Sequence, residues 1–156
     1  MALKADRNIL DTELGYYLNE TASRGVIVCV STAGSGTALD ASANLATVAA
    51  QSSGAKPIGL LLNDVTDNDL TKTPTNWHKD EAQKGDKVAI LTKGWVVTDK
   101  VTTATAGAKA VLTSSGYVMD ATDADVAAAN ALLNPVIGVF RTSKDENGFA
   151  RLYVDL

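Results

Sequence analysis

The chain is expected to be mainly β: a compact barrel or sandwich with an N-terminal arm and at most one short helix. Three observations carry that expectation. Short β-branched and aliphatic runs recur from residue 26 onward, among them Val26-Ile27-Val28-Cys29-Val30 and Trp95-Val96-Val97-Thr98. Glycine-bearing turn signals separate these runs, as strand–turn–strand order requires. Only the Ala-rich stretch from Asp123 to Leu133 has a helical look, with Asp123 placed as an N-cap or first-turn carboxylate.

Residues 1–24 read as an arm, and residues 25–156 as the domain. The arm carries Leu3, Ile9, Leu10, Leu14, Tyr16, Tyr17 and Leu18. These side chains show neither strict alternation nor a clean helical period, so they do not dock as one face on their own domain. They are too apolar to stand free in water, and a neighbouring subunit is their expected partner. The domain has its own aliphatic runs, so it is expected to fold without the arm.

The elements follow in order. Val26–Val30 is a buried strand, and Ala33-Gly34-Ser35-Gly36 ends it. Residues 38–55 are rich in Ala and Ser. Lys56-Pro57-Ile58-Gly59-Leu60-Leu61-Leu62 is a strand, with proline at its head and a bend at Gly59. The polar excursion 63–84 holds Pro74, Trp77 and His78; Trp77 has few apolar neighbours there and is expected at an interface. Gly85 to Leu91 is a turn and a strand. Thr92-Lys93-Gly94 is expected to reverse the chain into Trp95–Thr98, where Trp95 is expected to be the more buried tryptophan. Residues 101–105 and 108–113 look like another hairpin about Ala106-Gly107. The strands Pro135–Phe140 and Phe149–Val154 close the chain through Glu146-Asn147-Gly148, with Asn-Gly as the hairpin signal.

An internal echo runs through this order. Val30-Ser31-Thr32-Ala33-Gly34, Leu39-Asp40-Ala41 and Pro57-Ile58-Gly59 are matched by Leu112-Thr113-Ser114-Ser115-Gly116, Met119-Asp120-Ala121 and Pro135-Val136-Ile137-Gly138. Two such units would be related by a pseudo-two-fold.

Composition narrows the function. The chain has 156 residues and 24 alanines, with 18 acidic against 14 basic residues and a net charge of −4. The Lys and Arg residues form no run, which speaks against a nucleic-acid surface and against a polybasic membrane patch. No apolar run approaches the roughly 20 residues that span a bilayer. The single cysteine, Cys29, lies in an apolar run and forms no intramolecular disulfide. A protein made in the cytoplasm and remaining soluble is expected.

The chemistry-bearing residues assemble no catalytic, cofactor or metal site. His78 is the only histidine, too few for a zinc site. A dyad with Cys29 would join a polar loop to a core strand. Asp64, Asp67 and Asp69 lack the glycine and terminal glutamate of a calcium loop. Asp120, Asp123 and Asp125 read as solvated turns and caps.

Several of these features together resemble the small capsid decoration, or cement, proteins of tailed bacteriophages. They are the arm, the turn-to-strand entries Gly85-Asp86-Lys87-Val88 and Ala106-Gly107-Ala108-Lys109-Ala110-Val111 with Thr92–Val97 between, and the ending from Pro135 to Leu156. The 63–84 excursion departs from the simplest such proteins. The resemblance implies a structural protein on the outer surface of the virion capsid. Its partner would be the major capsid protein, whose subunit contacts it reinforces. Self-association at a symmetry point, as a trimer before a dimer, is expected. The competing reading is a fibre- or adhesin-type module that contacts a host glycan through Trp77 and Tyr117.

Overall fold

In a computed structural model, residues 3–31, 44–48, 55–64, 81–121 and 134–156 are described. The expected helix at 123–133, Trp77, His78 and the Gly34–Gly36 turn lie outside them.

The run at Val26–Val30 is buried from Val26 to Cys29 because both faces of its strand are covered there, and Val30 at its end is exposed. Alternate side chains enter two separate clusters. Ile27 and Cys29 join the larger one, and Val26 and Val28 the smaller. The same split runs through Leu60 and Leu62 against Leu61, and through Leu91 against Val88 and Ile90. A strand buried on both sides has no polar face to alternate with, so its sequence is a continuous hydrophobic run.

Eleven strands are formed among the described residues: β1 (Leu3–Leu18), β2 (Ala22–Ser23), β3 (Ile27–Val30), β4 (Leu45–Val48), β5 (Pro57–Asp64), β6 (Glu81–Ala82), β7 (Lys87–Thr98), β8 (Lys109–Leu112), β9 (Val118–Asp120), β10 (Val136–Phe140) and β11 (Ala150–Asp155). Nine make one sheet in the order β1-β4-β3-β5-β7-β11-β10-β8-β9, while β2 and β6 pair separately. The protein is mainly β, as expected. A further pairing of β1 with β7 closes β1, β4, β3, β5 and β7 into a ring. Each ring strand sends at least one side chain into the smaller cluster: Leu18, Ala46, Val28, Leu61 and Ile90. The other strands continue from β7, and their inward side chains, such as Phe140 and Leu152, build the larger cluster.

The internal echo is realised in the pairing. The order β4-β3-β5-β7 is mirrored by β9-β8-β10-β11. Val28↔Val48, Cys29↔Thr47 and Val30↔Ala46 in the first unit correspond to Ala110↔Asp120, Val111↔Met119 and Leu112↔Val118 in the second. The irregularities match as well. Val28↔Gly59 shifts to Cys29↔Pro57 around Ile58, and Ala110↔Gly138 shifts to Val111↔Val136 around Ile137. Both glycines are needed for close approach. A Cβ on Gly59 would lie 2.2 Å from the Leu91 carbonyl oxygen, and one on Gly138 would lie 1.8 Å from that of Tyr153. Met119-Asp120 is therefore the counterpart of Thr47-Val48, not of Leu39-Asp40, which lies outside the described residues.

Two expected hairpins are corrected. Thr92-Lys93-Gly94 does not reverse the chain; β7 runs unbroken through it for 12 residues. Gly94 has φ +141° and lets β1 pass close by, since a Cβ there would meet the Asn8 carbonyl oxygen at 2.3 Å. The glycine serves a bulge, which in sequence looks like a turn. Residues 101–105 do not pair with β8 either. Val101 makes an isolated parallel bridge to Val118, and β8 takes β9 and β10 as neighbours.

The β10–β11 connection runs from Arg141 to Phe149, longer than a two-residue Asn-Gly turn. The Asp145 carboxylate organises it by accepting hydrogen bonds from the Asn147 and Phe149 N–H groups at 2.9 and 2.7 Å. Gly148 supplies the left-handed residue at φ +87°.

Candidate interaction surface

The segment read as an arm runs as β1, antiparallel along β7 from Leu3↔Thr98 to Tyr17↔Lys87. Four register irregularities interrupt this ladder. Among the described residues, its other edge meets a strand only at Tyr17 and Leu18, which pair with β4. Glu20 fixes that corner: its carboxylate accepts from the Val48 N–H at 2.7 Å and from the Thr47 hydroxyl.

The apolar side chains of β1 divide by position. Leu3 and Leu18 are buried, one in each cluster. Tyr16 and Tyr17 are half-buried, and Tyr16 packs on the smaller cluster. Ile9, Leu10 and Leu14 are exposed, at 43%, 60% and 46% of their surface. They are three of the seven large apolar side chains exposed among the described residues. The ends of β1 are thus anchored in the protein, and its middle presents aliphatic groups outward. Leu10 is the extra residue where Ile9↔Gly94 gives way to Asp11↔Lys93. Bulges of this kind blunt an edge against backbone pairing while re-aiming side chains.

Beside β1 lies the outer face of β7, β11, β10 and β8. Register places Asn8, Trp95, Tyr153, Val139 and Lys109 in one row across five strands. Trp95 is half-buried beneath Arg151, whose guanidinium carbon is 4.2 Å from the ring centre. Tyr153 lies under Arg141 at 5.0 Å. Arg151 also reaches Asp6 at 2.9 Å, Lys93 reaches Asp155 at 3.0 Å, and Lys4 sits over Phe149 and 3.7 Å from Asp145. The hydrogen bond to Asp155 holds the Lys93 ammonium above its ordinary pKa. This grouping of cations was not anticipated from residue order. Its legible trace was the alternation Arg151-Leu152-Tyr153-Val154, which puts an arginine and a tyrosine on one face.

Among the described residues, no three His, Cys, Asp or Glu side chains cluster to hold a metal ion. Cys29 is buried. Tyr117 is exposed at 37% and lines an open cleft with Glu20, Ser23, Val48 and Ser115.

A family model described as structural cement protein (E217 gp24/Pam3 gp6) matches residues 7–155. The chain belongs to this family of phage cement proteins. Its role is accordingly structural, in reinforcing a phage capsid, and the resemblance drawn from the sequence is the correct one. The cement family match includes β1 from Arg7 onward, so the outward middle of the strand belongs to the shared unit. A search of curated proteins found no match.

Proposed function

We propose that this cement protein binds the outer surface of the capsid and reinforces contacts between major capsid subunits, with the middle of β1 as its principal contact. The observation that carries this reading is the exposure of Ile9, Leu10 and Leu14 on a strand whose two ends are buried. Burying a large aliphatic side chain is worth about 1.5–3 kcal/mol. Three such groups on a strand already held by β7 add affinity without the ordering cost of a loose arm. The net charge of −4 suits an outer position better than a DNA-facing one. The protein works without catalysis, is made in the host cytoplasm and takes its place on the virion from outside.

The test is a particle-binding assay with Leu10→Asp and Leu14→Asp beside the unaltered protein. Loss of shell binding with an unchanged melting temperature supports the reading. Full decoration by both variants contradicts it.

A further inference from the structure

The row of arginines stacked on aromatic rings lies next to β1 and has no covering element among the described residues. Its charges are not equally satisfied. Lys4, Lys93 and Arg151 each meet a carboxylate, from Asp145, Asp155 and Asp6. Arg141 and Lys109 are exposed, and among the described residues neither is paired with a carboxylate. Arg141 and Lys109 are therefore the cations of this face left to a partner, on a chain whose net charge is −4.

Arg141 is held for recognition. With its central carbon 5.0 Å from the Tyr153 ring centre, the guanidinium loses rotamer freedom before binding while its N–H groups remain available. Such a group matches a carboxylate through two parallel hydrogen bonds. Tyr, Trp and Arg are also the residues that dominate interface energetics. The half-buried Trp95–Tyr153 pair supplies a firm apolar floor, set between the two arginines.

The geometry points to this face as a second contact surface, one that takes a carboxylate-bearing surface segment of a capsid subunit. The inference rests on the capsid-binding reading above. The row begins at Asn8 on β1, next in sequence to Ile9 and Leu10, so one partner can reach both. Two unpaired cations are few for a nucleic acid, whose binding draws on many phosphate contacts.

The test uses phage particles lacking their cement protein, titrated with purified protein at several salt concentrations. The double variant Arg141→Gln, Lys109→Gln is expected to bind about tenfold more weakly at low salt, with a flatter salt dependence. Leu10→Ser is expected to weaken binding and leave the salt dependence unchanged. If the double variant matches the unaltered protein in affinity and salt slope, this inference falls while the capsid-binding reading stands. If the unaltered protein does not bind particles, that reading itself falls. Binding of duplex DNA that the double variant loses would also overturn the inference, by assigning the face to phosphate.

Discussion

Gly138→Ala tests the duplicated architecture at its tightest point. The added Cβ would lie 1.8 Å from the Tyr153 carbonyl oxygen, 2.9 Å from its carbonyl carbon and 3.2 Å from the Val154 Cα. All three atoms are backbone of β11, so no side-chain rotation relieves the clash. Gly138 is not in the left-handed region, so the cost is steric. Overpacking costs about 1–3 kcal/mol and occasionally more, and a collision with strand backbone belongs at the upper end. For a chain of this size, about 3 kcal/mol lowers Tm by about 6–12 °C. Gly59→Ala should fall by a similar amount, because its Cβ would meet the Leu91 carbonyl oxygen at 2.2 Å in the matching position. Gly107→Ala is the control. Nothing lies within 4 Å of its Cβ, but φ is +85°, and left-handed backbone costs about 1–2 kcal/mol. Thermal melts followed by circular dichroism give all three values. If Gly138→Ala and Gly59→Ala melt within about 2 °C of the parent, the equivalence and the close approach are both refuted.

The other predictions concern the ends of the sheet. A truncated chain beginning at Arg24 should unfold at lower urea than the full chain, because it loses the β7 ladder and the burial of Leu3 and Leu18; an equal midpoint would show that β1 adds nothing to folding. Leu18→Ala should cost about 2–5 kcal/mol as a core truncation, whereas Leu10→Ala should stay within about 0.5 kcal/mol, read in the same denaturant series. Asp145 is held below its ordinary pKa, chiefly by the hydrogen bond from the Phe149 N–H. Its stabilising contribution is therefore present above the unfolded-state pKa and lost as pH falls through the lower folded value. Protection of the Asn147 and Phe149 amides, taken relative to their intrinsic exchange rates, should fall over that acid range, and Asp145→Asn should remove this acid-dependent loss.

How much of this was legible follows from what each strand buries. β3, β5, β10 and β11 were visible because their apolar runs or alternation record covered faces. The echo of Pro57-Ile58-Gly59 and Pro135-Val136-Ile137-Gly138 was visible because two close strand approaches each demand a glycine. β1 was not recognised as a strand. Most of its side chains are exposed on both faces, so its pairing is a matter of backbone hydrogen bonds, which leave no period in the sequence. The continuity of β7 was hidden because Gly94 at a bulge has the same signature as glycine in a turn. Leu3 and Leu18 could not be separated from Ile9, Leu10 and Leu14, since all five are aliphatic and only the fold says which are covered. The cation–aromatic face was invisible because Asp6, Trp95, Arg141 and Arg151 come together only through long-range pairing.

The central claim is that this protein reinforces the shell from outside through the exposed middle of β1. It is tested most directly by adding purified protein to particles that lack it, then imaging them by cryo-electron microscopy and heating them until the genome escapes. The account predicts ordered density on the outer surface, with Ile9, Leu10 and Leu14 against capsid subunits and genome release at a higher temperature than in bare particles. Density on the inner surface, or unchanged release with the outer sites filled, would contradict it.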